Sequence, residues 1–299
     1  MRIVVTGGMG FIGSHFIKYV FNINPNIKFL VIDNLTYAGN RDNLNGVTYE
    51  WLQKDICNIT ADDLGEYNYL INFAAESHVD NSIKDGRPFV RTNVEGTFNL
   101  LEVARQNPNL KKFIQISTDE VYGDMLDYGP EIEATTDFNL FGSSYYSSTK
   151  ASADLLVQSA GRTYGIPYLI TRTCNNYGKN QHQEKLLPTI INCVKNNIPI
   201  SVYGDGLNIR EWIHADDNSK AIFDFMLSDI FGVQNIGSGE RYTNLEIIGI
   251  VKNILNKPIK FNFVEDRKGH DRIYALVSNY KGKLNYTLKK YLTETLVPQ

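Results

Sequence analysis

Short apolar runs alternate with helically spaced segments through the first half of the chain. Arg2–Thr6, Lys28–Asp33, 69–73, 112–117 and Tyr168–Thr173 are such runs, and stretches such as FIQI and YLI show no polar alternation. Continuous apolar character marks strands buried on both faces. Between the runs, Ile12, Phe16, Ile17 and Val20 recur at helical intervals, as do Val94, Phe98, Leu101 and Val103–Ala104. Strands alternating with helices predict an α/β fold, a parallel sheet covered on both faces. Beyond Cys174 the pattern loosens. Residues 175–180 are polar and turn-like, helices are predicted over Leu186–Lys195, Ala215–Leu227 and 243–255, and a strand over Ile200–Tyr203 precedes the turn Gly204-Asp205-Gly206. This organisation predicts a first domain over 1–174 plus about 207–236. A smaller, interleaved C-terminal lobe is predicted over about 175–206 and 237–299.

With 299 residues, 42% of them hydrophobic and 21% charged, the chain has the composition of an ordinary globular protein. Thirty basic and 33 acidic side chains give a net charge of −3, so no general grip on nucleic acid or an anionic membrane is expected. No apolar run approaches the roughly 20 residues of a membrane span. The opening MRIVVTGG lacks a basic stretch followed by a long apolar one, so no secretory signal is expected. Three dispersed cysteines (Cys57, Cys174, Cys193) fit a reducing, cytoplasmic setting better than a disulfide framework. They and the five histidines (15, 78, 182, 214, 270) show no metal-ligand spacing, and no metal is expected.

Candidate chemistry begins at the first strand–helix junction. Gly7, Gly10 and Gly13 are spaced GxxGxxG between Arg2–Thr6 and the first helix. Glycine permits the tight turn and brings backbone N–H groups to a pyrophosphate at the helix N-terminus. Asp33 ends the second strand, 20 residues after Gly13. A carboxylate there accepts the ribose hydroxyls of an adenosine and repels a 2′-phosphate, which favours NAD over NADP. These features predict a Rossmann-type doubly wound sheet. Asp55 and Ile56, after a third strand, are placed to flank an adenine.

Tyr146 and Lys150 are four apart, and a helix over 146–158 would carry both on one face. A neighbouring ammonium favours phenolate, so a lowered Tyr146 pKa is expected, making it a base that takes a hydroxyl proton as hydride leaves the same carbon. Asp119 and Glu120 follow the run 112–117, and ligands of open parallel sheets sit beyond the carboxyl ends of strands. Two carboxyls in one semi-buried cleft divide into acid and base.

Together these segments resemble the extended short-chain dehydrogenase/reductases and, within them, the nucleoside-diphosphoglucose 4,6-dehydratases. The resemblance is carried by GGMGFIGS, IDNLTYAGN, DICN, NFAAESHVDNSI, TNVEGT, ISTDEVYGD, YSSTKASAD, NNYG, EKLLP, YGDGLNIREWIH, NIGSGE and DRKGHDRIYA, spanning residue 3 to about 275. It implies Tyr146, Asp119 and Glu120 as catalytic, with Lys150 and Thr118 in support. It implies NAD contacts from the glycine turn with Phe11 and Ile12, from Asp33, Asn34, Leu35 and Thr36, from Asp55 and Ile56, from Phe73, Ala74 and Ala75, and from Thr92, Tyr146, Lys150 and Asn176. Substrate contacts are implied at Ser77, Thr118, Asn175, Lys185, Leu186, Tyr203, Arg210, Asn244, Arg267 and His270. The first domain then binds NAD and the lobe binds the nucleotide sugar.

The implied reaction is dehydration of dTDP-glucose or UDP-glucose to the 4-keto-6-deoxy sugar, by C4 oxidation, water elimination across C5 and C6, and hydride return to C6. The Asp119-Glu120 pair separates it from a 4-epimerase, which needs no elimination. UDP-N-acetylglucosamine dehydration and a non-catalytic NAD-binding role are the remaining alternatives. The resemblance also implies a homodimer. The chain departs from the family pattern at Tyr145, Ser201 and Lys268, where proline is common.

Overall fold

The computed structural model describes residues 1–297. Its frame is a seven-stranded sheet, all parallel: β1 (Arg2–Thr6), β2 (Lys28–Asp33), β3 (Glu50–Gln53), β4 (Tyr69–Asn72), β5 (Lys112–Thr118), β6 (Tyr168–Thr173) and β10 (Gly232–Ile236), in the order β10-β6-β5-β4-β1-β2-β3. Every residue of β4 and β5 is buried, polar Asn72, Lys112 and Gln115 included, as expected of central strands covered on both faces. The flanking helices cover both faces. One core packs Phe16, Ile17 and Val20 of helix Phe11–Ile23 and Phe223, Phe225 and Met226 of helix Ala215–Leu227 against Val5 and Ile114. The other packs Leu100, Leu101 and Val157 against Val4, Leu70 and Phe113. Strand order reverses between β1 and β4, so a crevice opens there beyond the carboxyl ends of the strands.

The remaining strands form two small sheets: β7 (Asn175–Tyr177), β9 (Ile209–His214) and β11 (Arg241–Thr243) in the order β11-β9-β7, and β8 (Ile200–Tyr203) paired with β12 (Phe261–Val264). Segment 207–236 is therefore divided. It returns β10 and helix Ala215–Leu227 to the main sheet and gives β9 to the three-stranded sheet. A third core, with Leu187, Ile190, Val202, Trp212, Ile247, Val251 and Leu288, holds the lobe together. No helix among the described residues is long and apolar enough to cross a membrane.

Candidate active site

The β1 turn is built from backbone. Gly7 has φ +65°, and a Cβ there would lie 2.5 Å from the Ala74 amide nitrogen at the end of β4. A Cβ on Gly13 would lie 2.5 Å from the Gly7 carbonyl oxygen. Close approach of three chain segments therefore requires glycine at both positions. Helix Phe11–Ile23 starts with no side-chain cap and no acid in its first turn, leaving amide N–H groups for an anion. Asp33 holds its two oxygens ready by accepting one backbone N–H each, from Leu35 (2.9 Å) and Met9 (2.9 Å). Burial raises its pKa, and those two bonds oppose the rise.

From this turn a cleft runs in two joined parts that share Gly7, Gly10, Phe73 and Ala75. The smaller, about 120 Å³, is lined by Asp33, Asn34, Thr36, Asp55, Ile56, Ala74 and Thr92. The larger, about 320 Å³, is lined by Phe11, Ile12, Gly13, Ser77, Thr118, Glu120, Tyr146, Lys150, Asn175, Asn176, Lys185 and Leu186. Leu35 lines neither part. Its φ of 51° is left-handed, and its contribution to the site is the N–H it gives Asp33.

Helix Tyr145–Tyr164 opens with a capping box between Ser144 and Ser147 and buries Tyr146 and Lys150 on one face. Lys150 Nζ donates to the Ile116 carbonyl on β5 at 2.6 Å. Burial holds its pKa down at about 8. Tyr146 departs from the sequence expectation. Its phenol is pushed above the ordinary value, first by burial and next by the negative charge of Glu120, against a lowering bond from the Thr118 hydroxyl. The protein's own groups thus favour the neutral phenol, because taking a phenolate out of water outweighs the ammonium one turn away.

β5 ends at Thr118, whose hydroxyl caps the next turn by accepting from the Glu120 N–H at 3.3 Å. Glu120 lines the cleft, whereas Asp119 lies beneath it, 3% exposed, with Oδ1 taking the Thr118 hydroxyl at 3.2 Å and Oδ2 unpartnered. Burial pushes Asp119 well above the usual carboxylate range, and Glu120 and Glu211 push the same way. Burial also raises Glu120, but Arg210, Arg267 and Lys185 pull it down. Both carboxyls are pushed up by burial, but three cations oppose the rise at Glu120 while two carboxylates add to it at Asp119, so Asp119 is the one that holds its proton more strongly.

The sequence-predicted residues of the lobe are less gathered. Lys185 donates to the Ser77 carbonyl at 3.2 Å and faces the cleft. Arg210, Arg267, His270, Tyr203 and Asn244 do not line it. The Arg210 guanidinium is occupied by the Ile209 and Asp271 carbonyls, both at 2.7 Å, and lies 4.1 Å from the Tyr274 ring centre. Arg267 reaches Asp80 at 3.4 Å, His270 holds Asp266 at 2.6 Å, and the Tyr203 ring is 6.5 Å from that of His270. Asn244 begins helix Asn244–Leu255.

Sequence reasoning missed Asn93. It sits in a π-helical turn, Val90–Gly96, and its amide accepts from the Glu76 N–H (2.9 Å) and donates to the Glu76 carbonyl (3.1 Å) and Thr149 hydroxyl (3.0 Å). It ties the loop after β4 to the Tyr146 helix. The available signal was an asparagine directly before the helically spaced Val94, Phe98 and Leu101. Among the described residues, no group of three or more His, Cys, Asp or Glu is arranged to hold a metal ion.

The chain matches the NAD dependent epimerase/dehydratase family over residues 3–237. It is 46% identical to the low-salt glycan biosynthesis protein Agl12 of Haloferax volcanii, over 92% of this chain and 90% of that protein. It is 40% identical to a dTDP-glucose 4,6-dehydratase of Streptomyces griseus, over 92% of this chain and 86% of that one. It superposes with TM-score 0.92 and 37% identity on DesIV, a dTDP-glucose 4,6-dehydratase of Streptomyces venezuelae solved with NAD bound, covering 99% of this chain and 96% of the other.

Proposed function

This chain belongs to the NAD dependent epimerase/dehydratase family, and from that premise we propose that it dehydrates dTDP-glucose to the 4-keto-6-deoxy sugar nucleotide. NAD is its cofactor, and it is a hydro-lyase. The fit of NAD rests on the cradle at Gly7 and Gly13 that a Cβ would fill, the uncapped helix start, and the Asp33 carboxylate facing the smaller part of the cleft. When bound, NAD⁺ supplies the acceptor that holds a hydride from C4 and later gives it to C6, together with a positive charge that offsets the raised Tyr146 pKa.

The observation that carries the reading is the acid–base pair at the end of β5, Asp119 buried beneath Glu120 in the wall that Tyr146 and Lys150 share. Tyr146 takes the C4 hydroxyl proton, and Thr118 hydrogen-bonds the same oxygen. The resulting ketone acidifies the C5 hydrogen, so oxidation must come first. Glu120, raised by burial but less so than Asp119 because three cations oppose the rise, removes the C5 proton. Asp119, pushed toward its protonated form by burial and by Glu120 and Glu211, gives its proton to the C6 hydroxyl, which leaves as water. C6 then receives the hydride and C5 regains a proton while the C4 ketone remains, so the cofactor ends as it began. Lys185 in the cleft wall supplies a positive group for the diphosphate, and Arg210 and Arg267, outside the wall but close enough to act on Glu120, add positive charge nearby.

The test is parallel incubation with dTDP-glucose, UDP-glucose and UDP-N-acetylglucosamine, read by mass spectrometry. Loss of one water, fastest from dTDP-glucose, is expected. Conversion without change of mass would instead mark an epimerase, and faster loss from either uridine sugar would reassign the substrate.

A further inference from the structure

The face of helix Tyr145–Tyr164 that carries Tyr146 and Lys150 continues for one more turn to Asp154, which is completely buried. The three side chains stand at i, i+4 and i+8, one stripe on one helix. Asp154 lies between two buried cations. Its Oδ2 accepts from Arg172 Nε on β6 at 2.9 Å, while its Oδ1 is buried and has no partner. An aspartate serving arginine alone would be met by the two-pronged fork of the guanidinium. Here the fork is split: Arg172 Nη1 goes to the Tyr122 hydroxyl at 3.0 Å, and Tyr122 in turn donates to Asn235 at 2.6 Å. One carboxylate oxygen is thus left without an arginine partner, one helical turn from Lys150 and close enough to the Ser117 hydroxyl for that group to act on Asp154. Lys150 has only the neutral Ile116 carbonyl as a hydrogen-bond partner and makes no ion pair among the described residues.

We propose that Asp154 is a positioning residue for the reaction, its carboxylate being the buried counter-charge that keeps Lys150 an ammonium beside Tyr146. This rests on the role given to Tyr146 and Lys150 above. Burial discharges lysine, and Asp154 is the charged group that works against it. The other groups around this stripe are Tyr146 on the same helix, Thr118, Asp119, Glu120 and Tyr122 on and after β5, and Arg172 on β6. Arg172 in turn helps hold Asp154 ionised against its own burial.

The test compares the NAD-loaded wild type with Asp154→Asn and with the double variant Asp154→Asn, Arg172→Met, which removes the orphaned arginine charge along with its partner. With side-chain ¹⁵N-labelled lysine, the Lys150 signal is identified by its loss in Lys150→Met and titrated without substrate. Its midpoint is expected to fall by about one pH unit or more in both variants, and the alkaline limb of kcat to move down with it while KM is unchanged. An unchanged or raised midpoint in the folded double variant overturns the proposal. So does failure of both variants to fold, which would make Asp154 a structural partner of Arg172. Because the titration uses no substrate, inactivity of the wild type on every nucleotide sugar would sink the dehydratase reading while leaving this result standing.

Discussion

The two ends of the cleft are made from different materials. The dinucleotide end is backbone: glycine turns, an uncapped helix start, and amide hydrogens of Met9 and Leu35 that aim Asp33. All of it comes from the first two strand–helix units. The other end is lined by side chains, Lys185 among them, and the basic groups proposed for the substrate, Arg210, Arg267 and His270, stand outside its wall on partners of their own, the Asp271 carbonyl, Asp80 and Asp266. A backbone site is fixed once its units fold. A side-chain site stays adjustable, which suits an end that must tell one nucleotide sugar from another.

Three variants sharpen this contrast. The largest effect is expected at the junction of the two ends. Asp119→Asn with Glu120→Gln should cut water loss by roughly 10²- to 10⁴-fold without lowering the NAD content of the purified protein. Retained dehydration would refute the acid and base roles. Next, Gly13→Ala forces a Cβ against the Gly7 carbonyl. Stability should fall by roughly 2–3 kcal/mol in denaturant titrations, and bound NAD should drop about tenfold or more, equivalent to about 1.4 kcal/mol. Normal NAD retention would show that the turn tolerates adjustment. The smallest effect is expected at the side-chain end. Arg267→Gln breaks only a half-exposed ion pair with Asp80, so stability should change by less than about 1 kcal/mol. The KM for the nucleotide sugar should rise several-fold with NAD content unchanged. A kcat effect equal to that of the carboxylate pair would mean Arg267 acts on chemistry.

The same contrast explains what was legible in the sequence. Strands β1, β2, β4, β5 and β6 announce themselves because burial on both faces leaves short, mostly apolar runs with no regular polar alternation, even where a buried Gln115 or Arg172 interrupts them. The glycine spacing and Asp33 are legible because each local choice has one structural use. β7, β9 and β11 are short or charge-bearing strands (NNY, IREWIH, RYT) whose partners lie far apart in sequence, so periodicity carried little information there. The raised Tyr146 pKa was missed for a related reason. Helix spacing reveals the ammonium one turn away, but the desolvation that outweighs it depends on how the sheet and both loops close over the phenol. The placement of Asp119 beneath the cleft floor, with only Glu120 reaching the surface, likewise follows from the tight turn after Thr118 and not from the order of the residues.

The outermost strand of the main sheet has a consequence for biosynthesis. β6 is paired on one side by β5 and on the other by β10, along Leu169–Thr173 against Gly232–Ile236. As the polypeptide leaves the ribosome, β6 emerges long before β10, and the intervening residues are committed mostly to the second lobe. Until Gly232–Ile236 appears, a strand destined for the interior presents an open row of amide and carbonyl groups, a template for pairing with another nascent chain. Premature termination anywhere between β6 and β10 should therefore yield a sticky fragment and not a smaller working domain, although the glycine turn, Asp33 and the Tyr146–Lys150 pair would already have been translated.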